Sequence, residues 1–326
     1  MRKLYALFLT LILSLGFFTG CGGSAEEQNN DKPNTSENQT VEQKESVFPV
    51  TIKDALDNEV VIEEKPKKIV SLIPSNTEIA YELGLGEEIV GVNENDNFPE
   101  EVLEKEKVAG LDINIEKILS LEPNLVLAHE STAVSLETGL QQLRDSGIAI
   151  LIVNDAQNIE DVYKSFFMIG KATGEEEKAE TIVADMKAKI AEIESKAKGI
   201  KAEDQKTVFV EVSPAPEIFS VGVNTFMNEM LQIIHAKNVV TDEGWIKMDP
   251  EAVIERNPDV IITTHGYYTG DPISNVVNRD GWQDITAVKN EQVVDVHSDL
   301  VTRTGPRIVQ GVEELAKAIY PEIFNN

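Results

Sequence analysis

The sequence predicts an α/β protein of two similar lobes, each built on a central, mostly parallel sheet, the two joined by one long helix. Three observations carry this expectation. A helix–proline–strand unit occurs twice, 135 positions apart at its glutamate. Short apolar runs alternate with helical stretches in both halves of the chain, the pattern of parallel sheets covered on both faces. Between the halves lies a long, charged stretch with helical spacing of its apolar residues.

The chain of 326 residues opens with Arg2 and Lys3 and an apolar run from Leu4 to Phe18. That run is shorter than the roughly 20 residues needed to span a bilayer, and small residues follow it, as in a secretory signal over residues 1–20. Phe18-Thr19-Gly20-Cys21 has the form of a lipobox, which makes Cys21 the candidate lipidated residue and the outer face of the cell membrane the expected location. Cys21 is the only cysteine, so disulfides and a thiol nucleophile elsewhere are excluded. Residues 21–47 carry hardly an apolar side chain and read as a disordered tether.

From Phe48 onward the chain is long enough for two domains of ordinary size, placed at 48–157 and 201–326. The formal charge of −28 argues against nucleic acid and anionic membrane surfaces as partners. In the first lobe Lys68–Leu72, Ile89–Val92, Leu125–Ala128 and Ala149–Val153 read as strands. In the second, Val208–Val212, Val260–Thr264 and Val293–Val296 do, with a helix over Asn224–Ile234.

In the repeat, Glu116 opens a short helix that Pro123 stops before the strand at Leu125, and the chain reaches His129. Glu251 opens its counterpart, Pro258 stops it, and the run from Val260 ends at His265. Proline cannot continue a helix and forces its predecessor to an extended conformation. The connector is expected over 158–200. Gly170 and Gly174 interrupt it, and Ile182, Met186, Ile190 and Ile193 form its apolar stripe.

Four stretches together carry a family resemblance over most of the chain beyond the tether: Lys68-Ile69-Val70-Ser71-Leu72-Ile73-Pro74-Ser75-Asn76-Thr77-Glu78, the unit from Glu116 to Val126, Trp245 to Ile262, and Arg303-Thr304-Gly305-Pro306-Arg307. The sequence resembles the cobalamin and iron-siderophore binding proteins of ABC importers. That resemblance implies two Rossmann-like lobes joined by a single long helix, little hinge motion and a ligand in the interlobe cleft. It also implies a permease and its ATPase as partners, and docking of Glu116 and Glu251 onto permease arginines. A glutamate in the first turn also complements the helix dipole, so each alone has a second explanation.

Ligands of open α/β sheets sit beyond the carboxyl ends of the strands. The candidate binding residues are therefore Ser75, Asn76, Asn95, His129, Phe219, His265, Tyr267, Tyr268 and Arg303, with Trp245 added by resemblance. Aromatic and small polar groups together suit a large, flat, partly apolar ligand. Trp245 and Phe219 fit core positions equally well, and Arg303 has Asp299 as an alternative partner. Of the adjacent Tyr267 and Tyr268, one is expected to be exposed. His129 or His265 could approach the metal of a chelate axially or simply hydrogen-bond. With four histidines in all, a closed metal site of the protein's own is not expected.

Phosphate loop, nucleophile-elbow and metalloprotease motifs are absent from the sequence, so a binding protein without a cofactor is expected rather than an enzyme. A surface sensor reusing the fold is the reading from another class. The chain carries Asn95, Gly110 and His129 where cobalamin binders tend to have aromatic residues. Arg303 is the one obvious cleft cation, and ferric siderophores are mostly anionic. The expected ligand is a corrinoid first, haem second and a ferric siderophore third, bound by a monomer.

Overall fold

The computed structural model describes Phe48–Asn325; the signal, Cys21 and the tether lie outside the described residues. A hairpin leads, β1 (Val50–Lys53) antiparallel to β2 (Glu59–Ile62). Strict alternation buries Val50, Ile52, Val60 and Ile62 and turns their neighbours to solvent, the period of a half-buried ribbon.

Five parallel strands follow: β3 (Ile69–Ser71), β4 (Ile89–Asn93), β5 (Glu106–Ala109), β6 (Leu125–His129) and β7 (Ala149–Val153). Their order across the sheet is β5-β4-β3-β6-β7. The chain winds outward from β3 and then crosses back to β6, so the loops after β3 and β6 leave in opposite directions. Between them opens the crevice in which such sheets bind ligands.

The second lobe contains β8 (Thr207–Glu211), β9 (Phe219–Val221), β10 (Lys237–Asn238), β11 (Trp245–Lys247), β12 (Val260–Thr263) and β13 (Val293–Asp295). Its parallel sheet has the order β10-β8-β12-β13, and β9 pairs antiparallel with β11 in a separate ribbon. Both lobes are thus α/β with parallel sheets. The predicted strands recur within a residue or two, whereas β1, β2, β5, β9 and β11 are too short or too polar to stand out in the sequence.

The repeat is a structural one. Helices Ile115–Leu121 and Pro250–Arg256 both end in a left-handed residue, Glu122 at φ 51° and Asn257 at φ 43°, immediately before the proline. The residue after each proline then fastens the first strand of its lobe. Asn124 Oδ1 accepts from the backbone N–H groups of Lys67 and Lys68, both at 3.1 Å, and Asp259 Oδ2 accepts from the backbone N–H (2.8 Å) and the side-chain hydroxyl (2.7 Å) of Thr207.

The connector is a helix Ile159–Thr173, a turn, and a long helix Glu176–Ala197. Asn158 caps the first by accepting the Asp161 N–H at 2.8 Å. Gly174 ends it at φ +71°, a conformation a Cβ disfavours, and so redirects the chain into the 22-residue helix, about 33 Å long at 1.5 Å per residue. Both helices join one continuous core. It runs from Ile69 and Leu125 in the first sheet through Phe166, Val183 and Met186 to Val208, Ile262 and Leu315 in the second lobe. Separating the lobes would expose this shared apolar surface, which opposes wide hinge opening.

Candidate ligand cleft and interlobe latch

A cleft of about 290 Å³ lies between the lobes. Its first-lobe wall is formed by Ile73, Pro74 and Ser75 after β3, by His129 and Ser131 at the end of β6, and by residues 155–157 after β7. These are the carboxyl ends of β3 and β6, which flank the crossover, and of the edge strand β7. The second-lobe wall is Phe226, Trp245 and the segment Thr302–Thr304.

Trp245 begins β11, is 44 % exposed, and leans on buried Phe226 with ring centroids 5.9 Å apart. The ribbon holds it there through a close backbone approach. A Cβ on Gly222 would stand 1.8 Å from the Asp242 carbonyl oxygen, so only glycine lets the two strands' ends meet. Trp282, by contrast, lies wholly inside the second lobe, under the Arg279 guanidinium at 4.1 Å.

His129 is 5 % exposed and lines the cleft. Its Nδ1 accepts the Ser131 N–H at 3.3 Å and lies 2.8 Å from Ser131 Oγ. Burial holds the imidazole below its usual pKa, against the opposing pull of Asp155 and Glu130.

Arg303 also reaches the cleft, and its guanidinium is engaged by protein groups, the alternative partner Asp299 among them. It donates to Glu78 Oε1 at 2.9 Å, Asn97 Oδ1 at 2.8 Å and the Asn95 carbonyl at 3.2 Å, and pairs with Asp299 at 3.0 Å. Arg307 adds two bonds to the same carboxylate, 2.9 Å to Oε2 and 2.6 Å to Oε1, while stacking over Phe98 at 4.1 Å. Two second-lobe arginines therefore clamp one buried first-lobe carboxylate. Sequence reasoning missed Glu78 and Arg307. The segment Ser75-Asn76-Thr77-Glu78 is polar and gave no sign of burial; in the fold Glu78 is the one charged residue among six consecutive buried positions of the helix Pro74–Glu82, and a buried carboxylate needs cations.

Beside this latch the carboxyl of Asp96 is pushed up to about 6 by burial, against hydrogen bonds from Asn93 N–H and Thr77 Oγ1 and the charges of Lys107 and Arg303. Its Oδ1 is buried without a hydrogen-bond partner.

Other expected site residues take different places. Asn76 is buried and donates to the Ala128 carbonyl at 2.9 Å, tying its helix to β6. Asn95 meets Arg303 through its backbone and does not line the cleft. Phe219 sits half-buried in the ribbon, away from the cleft lining. Tyr267 and Tyr268 are both exposed, at 73 % and 54 %, and pack edge to face at 4.8 Å outside it.

His265 is not a cleft residue. It is fully buried, with Nε2 at 3.1 Å from Glu211 Oε1 and Nδ1 at 3.1 Å from Thr269 Oγ1. Burial raises the Glu211 carboxyl, but the hydrogen bonds and charges of Arg279 and His265 outweigh it and leave the group below its usual value. The repeat explains the error: its offset is 135 at the glutamates and 136 at the histidines. The position equivalent to His129 is therefore Thr264, and His265 lies one residue past it, beyond the end of β12, where the backbone has left the extended conformation.

Glu116 and Glu251 are both exposed in the first turns of their helices, and neither carboxylate makes an ion pair or hydrogen bond among the described residues.

Comparison with known proteins meets this architecture. The family model described as periplasmic binding protein matches residues 69–300, from β3 through β13 and beyond. The chain belongs to this family of ABC-transporter substrate-binding proteins. Over 325 residues, 99 % of each chain, this periplasmic binding protein is 49 % identical to the ABC transporter substrate-binding lipoprotein YvrC of Bacillus subtilis strain 168. It is 28 % identical over 257 residues to the vitamin B12-binding protein of Pectobacterium carotovorum, covering 78 % of this chain and 88 % of that one. The crystal structure of a possible iron-binding, periplasmic solute-binding protein of Staphylococcus epidermidis superposes with a TM-score of 0.71 at 39 % identity, covering 79 % and 100 % of the two chains.

Proposed function

We propose that this periplasmic binding protein is an extracytoplasmic lipoprotein, anchored through Cys21, that delivers a corrinoid to an ABC permease. The observation that carries the ligand is the neutralised arginine. Arg303, the one Lys or Arg lining the cleft among the described residues, is already balanced by Glu78 and Asp299. What remains to meet a ligand is hydroxyl groups, the Asp155 carboxylate, the Gln157 amide, the His129 imidazole and the Trp245–Phe226 aromatic pair. Such a surface suits a neutral, flat, partly apolar molecule and gives an anionic ferric siderophore no counter-charge. The cleft is smaller than a whole corrinoid, so it takes the edge of the ring and leaves the remainder at the open rim. The Pectobacterium relative's name supports this reading.

Glu116 and Glu251 are the docking charges. They are exposed, equivalent in the two lobes and without a side-chain partner among the described residues, which leaves both able to orient a basic surface. The second reading is an iron chelate, favoured by the name of the Staphylococcus structure.

The deciding experiment is titration of the purified protein with cobalamin, haem and ferric siderophores, followed by Trp245 fluorescence and absorbance. Quenching by cobalamin at micromolar concentration or below is expected, and Trp245→Phe removes it. No response to cobalamin, together with a Soret shift on adding haem, overturns the corrinoid reading.

A further inference from the structure

The cleft contains one imidazole, and the backbone fixes where its proton sits. A backbone N–H can only donate, so the bond from Ser131 N–H occupies the Nδ1 lone pair of His129. While that bond is kept, the neutral ring carries its hydrogen on Nε2, and the Ser131 hydroxyl at 2.8 Å donates to Nδ1 as well. Burial keeps the ring neutral at neutral pH. Nε2 has no hydrogen-bond partner among the described residues, although the side chain is 95 % enclosed and lines the cleft. Nε2 is not one of the buried polar atoms left without a partner, so it is open to the cleft, where a ligand can supply its acceptor.

We propose that His129 donates its Nε2–H to an uncharged carbonyl oxygen at the ligand's edge, a peripheral amide of the corrinoid, and does not coordinate the metal. This rests on the corrinoid reading above. Coordination needs the Nε2 lone pair and therefore moves the proton to Nδ1. There it would face the Ser131 N–H and that bond would be lost, leaving only the contact with the Ser131 hydroxyl. The charge around the ring selects among acceptors. Glu130 and Asp155 both act on the imidazole, and Asp155 lines the cleft itself. A ligand carboxylate placed against Nε2 would meet these two negative groups, whereas an amide carbonyl offers the acceptor without the charge.

The test has a ligand-free arm and a ligand arm. Long-range proton–nitrogen correlation spectra of the 15N-labelled protein, with His129 assigned by its loss in His129→Gln, should show the neutral Nε2–H tautomer at pH 7. The Nδ1–H tautomer would overturn the proposal. In the second arm, aquacobalamin and cyanocobalamin should bind with dissociation constants within about threefold of each other, because neither axial position is used. Aquacobalamin should keep its visible bands on binding. His129→Leu should weaken both by about tenfold, the worth of one hydrogen bond, and His129→Gln, which keeps an N–H donor, should lose less. A band shift as imidazole replaces cobalt-bound water, absent in His129→Leu and accompanied by much weaker cyanocobalamin binding, overturns the proposal. Binding of neither cobalamin by the wild type overturns the corrinoid reading instead, and the ligand-free spectrum still decides the donor assignment.

Discussion

Replacing Glu78 by Gln removes the single negative charge on which the two lobes are clamped. Three N–H groups of Arg303 and Arg307 converge on it within 2.6–2.9 Å, and its side chain is wholly enclosed. Breaking a buried ion pair by removing one partner costs about 3–5 kcal/mol. The lower end applies, because Asp299 stays 3.0 Å from Arg303 and 3.8 Å from Arg307, and Asn97 still accepts from Arg303. The expected loss is about 3 kcal/mol, or a fall in Tm of about 6–12 °C at roughly 2–4 °C per kcal/mol. Urea and thermal unfolding of the purified protein measure it. Glu82→Gln, four residues further along the same helix and exposed, is the control and should stay within about 0.5 kcal/mol. An unchanged Glu78→Gln, or equal losses in the two variants, would refute the assignment of the clamp as a buried, stabilising contact.

Further outcomes follow from other sites. Glu116→Ala combined with Glu251→Ala should reduce uptake by cells at least about tenfold while leaving ligand affinity untouched, since charge steering acts on the encounter with the partner; unchanged uptake removes the docking role. Asp96 has a carboxyl raised from 3.8 to about 6 in the folded protein, so the native state prefers it protonated. The stability this lends is present below about pH 4 and is lost as pH rises to about 6; the advantage of Asp96→Asn over wild type should therefore grow by about 2–3 kcal/mol across that window and then level off, as urea titrations at a series of pH values would show. Gly222→Ala should displace the ribbon against the Asp242 carbonyl and weaken ligand binding, seen as a loss of Trp245 quenching.

The α/β class, the two lobes and the helical connector were legible because they rest on local pattern. Buried parallel strands such as Ala149–Val153 are continuous apolar runs, and the prolines at 123 and 258 stop helices by covalent geometry. The two-stranded ribbon was not legible, because β9 and β11 are three residues each and their pairing depends on how closely Gly222 approaches Asp242. Of the expected cleft residues, Ser75, His129, Trp245 and Arg303 do line it. His265 failed by one residue of register, and Asn76 by hydrogen-bonding inward across the lobe.

The sequence alone determined the two α/β lobes and the repeat that pairs Glu116 with Glu251, since periodicity and proline placement act over a few neighbouring residues. Only the tertiary structure decided what the charged and aromatic side chains do. Glu78 lies 225 and 229 positions from the arginines it holds. Whether Arg303 is free for a ligand, which histidine faces the cleft and which tryptophan is exposed are all questions of distant groups brought within hydrogen-bonding range. The folded chain alone sets those distances.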